Sequence, residues 1–327
     1  MRSGRTFPPG RPRAGSRRRS STSPVRRPAR YGGGEPLARY PEDLDRWRRA
    51  ARISAEARNR GARAVVPGAL RRAVADEIES YIRSQGAEPA FPSNLSRNVE
   101  AAHYTPSPED EVRFEEGDIV KVDVGAHLDG AIADTAVTVE VGSTHRQDRL
   151  LKAARDAVEA GIAEVRAGVA VDTLSKAIER AIHAGGFKPI ENLTGHTIER
   201  YLLHAGKSIP NASGMSTDLL EEGEVVAIEP FATNGAGRIE NGVFGNIVRF
   251  RSEPGAAVPE ARRWFERFRT LPFTLRWVAP GERPAFRSVR RLLQSYPVFV
   301  EAGGGLVAQA EHTVLVTATG AEVLTRG

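Results

Sequence analysis

The chain writes one large unit twice. "EEGDIVKVD" spans Glu115–Asp123 and "EEGEVVAIE" spans Glu221–Glu229, each a charged turn followed by a β-prone apolar run that ends on a carboxylate. A second repeated block precedes each copy. "PGALRRAVADEIESYIRSQGAEPAF" (67–91) aligns with "AGVAVDTLSKAIERAIHAGGFKPIE" (167–191), so Gly68, Ile78, Glu79, Ile82, Gly86 and Pro89 match Gly168, Ile178, Glu179, Ile182, Gly186 and Pro189. Val74, Ile78 and Ile82, like Leu174, Ile178 and Ile182, recur at every fourth position. That is the buried stripe of an amphipathic helix, and the glycine that follows is a C-terminal signal. A repeated helix–loop–strand unit of this size implies internal pseudo-twofold symmetry, because a solenoid needs three or more shorter repeats.

Further elements fit this frame. Residues 41–63 and 147–166 are predicted helices, the second with Leu151, Ala154, Val158, Ile162 and Val165 on one face. "VDVGAHLDGAIADTAVTVEV" (122–141) alternates around Asp129-Gly130, a hairpin turn signal. "YPVFVEAGGGLVAQAEHTVLV" (296–316) reads as another hairpin around three glycines. The fold class is therefore α/β, with antiparallel hairpins backed by helices. Residues 237–295 have no first-half counterpart. They contain "RRWFERFRTLPFTLRWV" (262–278), whose Trp264, Phe265, Phe268, Leu271, Phe273 and Trp277 are expected to form a small helical core rather than a DNA-binding surface.

Composition narrows the chemistry. The chain has no cysteine, so a metal would rest on His, Asp and Glu. No run approaches the roughly 18 apolar residues of a spanning helix, and the basic N-terminus lacks the apolar core of a secretory signal. A cytoplasmic protein without membrane partners is the expectation. The net charge of +6 belongs to the N-terminus, since residues 1–34 hold ten arginines and no acid. Residues 1–36 read as a disordered basic tail.

Asp123 and Asp134 lie symmetrically within the first predicted hairpin. Symmetric pairing would set them opposite each other, with Cβ atoms about 5 Å apart, and like charges so placed need a cation between them. Glu229 ends the duplicated strand, Glu311 lies in the last predicted hairpin, and His196 sits in "LTGHTIERYLLHAG". Four carboxylates and one imidazole suit two hard or borderline divalent ions: manganese, iron(II), cobalt or zinc.

"AAHYTP" (101–106), "KVDVGAHLDGAIAD" (121–134), "GHTIERYLLHAGKSIPN" (195–211), "EEGEVVAIEPF" (221–231) and "AQAEHT" (308–313) resemble the signature blocks of type 2 methionine aminopeptidases, most closely the archaeal branch. The resemblance runs from about residue 40 to the end. It implies the pita-bread fold over 37–236 and 296–327, with 237–295 as an inserted winged-helix-like subdomain. It further implies that Asp123 chelates one metal, Asp134 and Glu311 bridge both, and His196 and Glu229 complete the other.

His103 and His204 match the two histidines that face the substrate in that family, and Phe91, Leu203 and Tyr296 match the methionine pocket. His127 is left a structural role. Ala310 stands where the family usually has phenylalanine, and alternation turns it away from Glu311, so a packing change is expected there.

The implied activity is removal of the initiator methionine when the second residue is small, by a hydroxide activated between two metals, with Glu229 also moving a proton. The implied partners are nascent N-termini at the ribosome, and the chain is expected to be monomeric. A proline-specific peptidase of the same fold and a non-catalytic relative that binds ribosomes or nucleic acid are the rival readings. The first would share the ligands but not "AAHYTP" with the late insertion. The second would be expected to have lost ligands.

Overall fold

In the computed structural model, which describes residues 42–255 and 258–327, the duplication extends to the register of the strands. The first half runs α1 (Glu42–Ala64), α2 (Arg71–Ser84), β1 (Glu88–Pro89), β2 (Asn94–Arg97), β3 (Glu100–Ala102), β4 (Ile119–Leu128) and β5 (Ala131–Glu140). The second runs α3 (Asp148–Ala163), α4 (Val171–Ala184), β6 (Lys188–Pro189), β7 (Thr194–Ile198), β8 (Ser208–Pro210), β9 (Val225–Ile228) and β10 (Phe231–Thr233). Pro89 opposes Ala126 in β4 as Pro189 opposes Ala232 in β10. Arg97 opposes Val120 as Thr197 opposes Val226. The expected tail over 1–36 lies outside the described residues.

Each half closes its own core. Val74, Ile78 and Ile82 of α2 pack with Ile53 and Ala57 of α1 against Val120, Val122 and Val124. Leu174, Ile178 and Ile182 of α4 pack with Leu150, Ala154 and Val158 of α3 against Val226 and Ile228. Burying each such aliphatic side chain contributes about 1.5–3 kcal/mol. The helix pairs touch at matched glycines: a Cβ on Gly61 would lie 2.5 Å from Ile78, and one on Gly161 2.9 Å from Ile178. This extends the repeat into α1 and α3, where the sequences share too little to align by eye.

The chain continues through β11 (Ile239–Phe250), α5 (Pro259–Phe268), α6 (Phe286–Val289), β12 (Leu293–Glu301), β13 (Val307–Gln309), β14 (His312–Val316) and β15 (Ala321–Val323). Both ends of 237–295 are thus strand. β11 pairs with β12, which pairs with β3 of the first half. Between them, Trp264, Phe268 and Phe273 gather on Phe250 in a small aromatic core, with Phe268 and Phe273 stacked at 4.3 Å. Leu271 does not join it as expected. It packs instead with Phe91 and Leu203. Between β11 and β12 the described residues hold one ten-residue helix, the four-residue α6 and short turns, so a winged-helix form rests on the resemblance alone.

The hairpin expected over 296–316 does not form. β12 lies with β11 and β3, whereas β13 pairs with β10 and β14 with β9. The reason lies in the glycine loop. Gly303 and Gly305 donate their N–H groups to one carboxylate oxygen of Glu301 at 2.7 and 2.9 Å, and Gly237 donates to the other at 2.9 Å. The loop therefore wraps a buried acid and carries the chain from one sheet to another. Among the described residues, no helix is long and apolar enough to cross a membrane.

Candidate active site

The halves meet where β5 lies against the segment joining β13 to β14. Glu311 donates its N–H to the Ala136 carbonyl at 3.0 Å, and Thr135 Oγ1 donates to the Glu311 carbonyl at 2.8 Å. Thr313 Oγ1 donates to the Asp134 carbonyl and accepts from the Asp134 N–H, both at 2.7 Å. These bonds fix two acids from distant parts of the chain side by side.

Asp123 and Asp134 do not face each other directly. The turn residues are Asp129 and Gly130, both at positive φ (50° and 84°), as a two-residue primed turn requires. The register centres on that pair, so Asp123 opposes Ala136 and Asp134 opposes Gly125. The carboxylates become diagonal neighbours on one face, still within mutual reach.

One cavity of about 270 Å³ receives Asp123, Asp134, His196, Glu229, His103 and His204, together with Phe91, Leu203 and Tyr296. Glu311, 1% exposed, stands behind it. Single ligand atoms of Asp134, His196 and Glu311 all lie within 4.8 Å of one another. His196 Nε2 is 3.5 Å from Glu229 Oε1 and 3.9 Å from Asp134 Oδ2.

The donor set fits divalent metal. Asp123 Oδ1, Asp134 Oδ1 and Glu311 Oε1 are buried without a hydrogen-bond partner among the described residues. Buried orphan acceptors are costly, and convergence of several carboxylates makes the cost larger. Burial pushes the Asp123 carboxyl up to about 7. Asp134, Glu229 and Glu311 are raised well above the carboxylate range, first by burial and then by the neighbouring acids. Burial and then the nearby His204 lower His196, which leaves it neutral, the form in which imidazole binds metal. A bound cation reverses the carboxyl shifts, since it favours the ionised acids.

His103 and His204 also line the cavity. Burial lowers both to about 4, aided at His103 by His204 and at His204 by Arg249. His204 is accessible from the cavity although protein surrounds the rest of its ring. The His103 ring lies 4.6 Å from Phe299 and 5.3 Å from Tyr296, centroid to centroid. Its backbone sits at φ 66°, a left-handed conformation uncommon outside glycine. His127, left a structural role, accepts the Gly130 N–H inside the turn at 3.2 Å.

Residues 45–318 match metallopeptidase family M24. The chain belongs to that family. It is 40% identical over 285 residues to a methionine aminopeptidase of Methanocaldococcus jannaschii and 45% identical over 283 residues to one of Archaeoglobus fulgidus. Each alignment covers 85% of this chain and 96% of the relative. The crystal structure of a methionine aminopeptidase from Thermotoga maritima superposes with a TM-score of 0.67 at 25% identity, covering 88% of this chain and 98% of that one. The α/β fold is thus the pita-bread fold of this metallopeptidase family, and the buried Asp134–His196–Glu311 cluster could hold a divalent metal.

Several cavity residues have no signal in the sequence. Asn94 faces Asp123 across the strands, Ile247 and Pro272 arrive from the segment that lacks a first-half counterpart, and Phe299 comes from β12 just beyond it. Gln309 was open to detection. It lies two residues from Glu311, and its side-chain amide reaches Glu229 at 3.3 Å and Glu311 at 3.5 Å. Ala310 is buried in the second-half core, on the side away from the acids.

Proposed function

We infer that the chain is a methionine aminopeptidase, a metal-dependent hydrolase that removes the initiator methionine from nascent polypeptides when the second residue is small. The observation that carries this reading is the single cavity in which an acid cluster adjoins an apolar wall of Phe91, Leu203 and Tyr296. An unbranched thioether side chain fills such a wall well, and a cavity of this size leaves little room beyond it. The close relatives bear the same name over nearly their whole length.

Two ions would suit the ligand count: Asp123 would hold one, His196 with Glu229 the other, and Asp134 and Glu311 would be shared. Cobalt, manganese, iron(II) and zinc all match these donors. Bound there, divalent ions supply Lewis acidity and lower the pKa of water towards neutrality. The chain's own groups do the rest. His204, neutral at pH 7, hydrogen-bonds the substrate's peptide group. Pro297's carbonyl engages the His103 ring, and Nδ1 has no partner among the described residues. His103, which lines the cavity, is then placed to meet the substrate as the tetrahedral intermediate forms and collapses. Glu229 is placed to move a proton. Nascent N-termini at the ribosome, a monomeric state and a cytoplasmic location complete the proposal, with no specific DNA partner. The winged-helix-like character of 237–295 and the tail over 1–36 belong to the same proposal.

Hydrolysis of Met-Ala-Ser against Xaa-Pro dipeptides, each with titrated metal, tests the reading. Metal-dependent release of methionine alone supports it. Preference for Xaa-Pro would assign the chain to a proline-specific activity, and absence of metal binding would remove the enzyme reading.

A further inference from the structure

Glu79 and Glu179 are matched residues of the duplicated helices, and the two halves use them differently. Each carboxylate accepts a backbone N–H from the loop beyond it: Ser93 donates to Glu79 at 3.1 Å and Ser213 to Glu179 at 3.1 Å. In the second half, the His183 ring lies 3.9 Å from Glu179. In the first half, an arginine arrives from far along the chain. Arg276 grips Glu79 with both terminal nitrogens, at 2.9 and 2.7 Å, and Trp277 Nε1 donates to the same carboxylate at 2.6 Å.

The pair is almost sealed, with side-chain exposures of 4% for Arg276 and 1% for Glu79. Arg276 also donates to Thr105 Oγ1 at 3.2 Å and to the Pro106 carbonyl at 3.1 Å. Thr105 Oγ1 in turn donates to the Ser93 carbonyl at 2.9 Å.

These contacts connect segments that each reach the cavity. Ser93 lies between the lining residues Phe91 and Asn94, and Thr105 lies two residues beyond the lining residue His103. Arg276 lies four residues beyond Pro272, which also lines the cavity, and Leu271 packs in the cluster that holds Phe91. The segment's other end is tied by Thr270 Oγ1, which donates to the Tyr201 carbonyl at 2.5 Å. A planar bidentate pair holds distance and angle together, which a point charge does not.

We propose that Arg276, held by Glu79, is a specificity-determining positioning residue: it sets where Pro272 stands relative to Phe91 and His103 in the cavity lining, and so decides which first side chains enter. The inference rests on the aminopeptidase reading above and names the part of the chain that gauges the substrate. Arg276 touches no reacting atom. Its loss should therefore act on binding and selectivity rather than on the chemical step.

Removing one partner strands a buried charge, so the test uses the neutral pair Arg276→Met with Glu79→Gln. Kinetics on Met-, Leu- and Phe-Ala-Ser are compared with wild type, with bound metal and melting temperature measured alongside. The expected result is KM for Met-Ala-Ser raised about tenfold, kcat held within about threefold, and the Met-to-Leu ratio of kcat/KM lowered about tenfold, with metal content unchanged. Arg276→Lys and Thr105→Val, which strand no charge, should move KM and the ratio the same way by about two- to threefold. They decide the matter if the double variant does not fold. Wild-type KM and ratio in the folded double variant, or in both milder variants, would overturn the proposal and leave the pair a stabilising contact only. A wild type that spares Met-Ala-Ser would instead sink the aminopeptidase reading. The gauge would still be read from the first-residue ratio on whatever peptides the wild type cleaves.

Discussion

Ser96 occupies in the first half the place that His196 occupies in the second: Ser96 opposes Lys121 as His196 opposes Ala227. The duplicated scaffold therefore carries an asymmetric site. Ser96 and Lys121 are both fully buried, and Lys121 Nζ donates to the Asn98 carbonyl at 2.8 Å. The imidazole comes from one copy only, while both copies deliver an acid, Asp123 and Glu229.

The proposed roles separate residues that would hold metal from residues that would face substrate. Glu311→Gln should lose at least one metal equivalent and about a hundredfold or more in turnover, since the amide cannot accept as two anionic oxygens do. His103→Ala should keep its metal and lose about 10²–10³ in kcat/KM. Metal analysis beside Met-Ala-Ser hydrolysis checks both, and full metal occupancy in Glu311→Gln would refute the bridging role.

Some of this was legible in the sequence. The matched helices and the Asp129-Gly130 turn follow from periodicity and turn chemistry, and Glu229 does stand at the end of β9, whereas β4 runs on past Asp123 to Leu128. What periodicity cannot encode is the identity of a strand's partner. Residues 296–316 alternate like a hairpin, yet β12 and β13 join different sheets because Glu301 gathers the glycine N–H groups that a hairpin turn would leave outside. The facing of Asp123 and Asp134 was misjudged because the turn centre lies one residue further on. Leu271 has the composition of a local core residue but packs with Phe91, a long-range contact with no local signal.

Gly125 opposes Asp134, and its open face receives the Phe91 ring. A Cβ there would lie 2.3 Å from Phe91 Cε1. Gly125→Ala should displace the ring from the cavity wall, raising KM for Met-Ala-Ser about tenfold while bound metal stays at the wild-type level. Steady-state kinetics with metal analysis test it, and an unchanged KM would remove Phe91 from the pocket.

Residues 1–34 carry ten arginines and no run of apolar residues with which to join a core. A chain beginning at Glu35 should match the full chain in melting temperature and in kcat/KM on a tripeptide. A fall in either, read by calorimetry or kinetics, would mean that this segment contributes to the fold or the site.

The acid cluster makes a prediction about the metal-free protein that depends on sign. A carboxyl whose folded pKa exceeds its unfolded value of about 3.9 contributes stability at low pH that is lost as pH rises through the folded pKa. Asp123, raised by burial to about 7, fits that case, and its ionised form also opposes ionisation of Asp134, Glu229 and Glu311. Lys121 and the site histidines are shifted the other way by burial, so absolute melting temperatures mix opposing effects. The difference between wild type and Asp123→Asn cancels them to first order. Without metal, the two should melt alike near pH 3.5, below the unfolded carboxyl pKa, where Asp123 is protonated in both states. Near pH 8 the variant should melt higher, by roughly 2–4 °C for each kcal/mol of repulsion removed. Added metal should reverse the order, because the wild type then gains the binding free energy that the variant lacks. Scanning calorimetry at the two pH values, with chelator and with metal, decides it. A metal-free variant clearly less stable than wild type at pH 8 would mean that Asp123 holds the fold through its own hydrogen bonds, and that metal does not act here by relieving crowded charge.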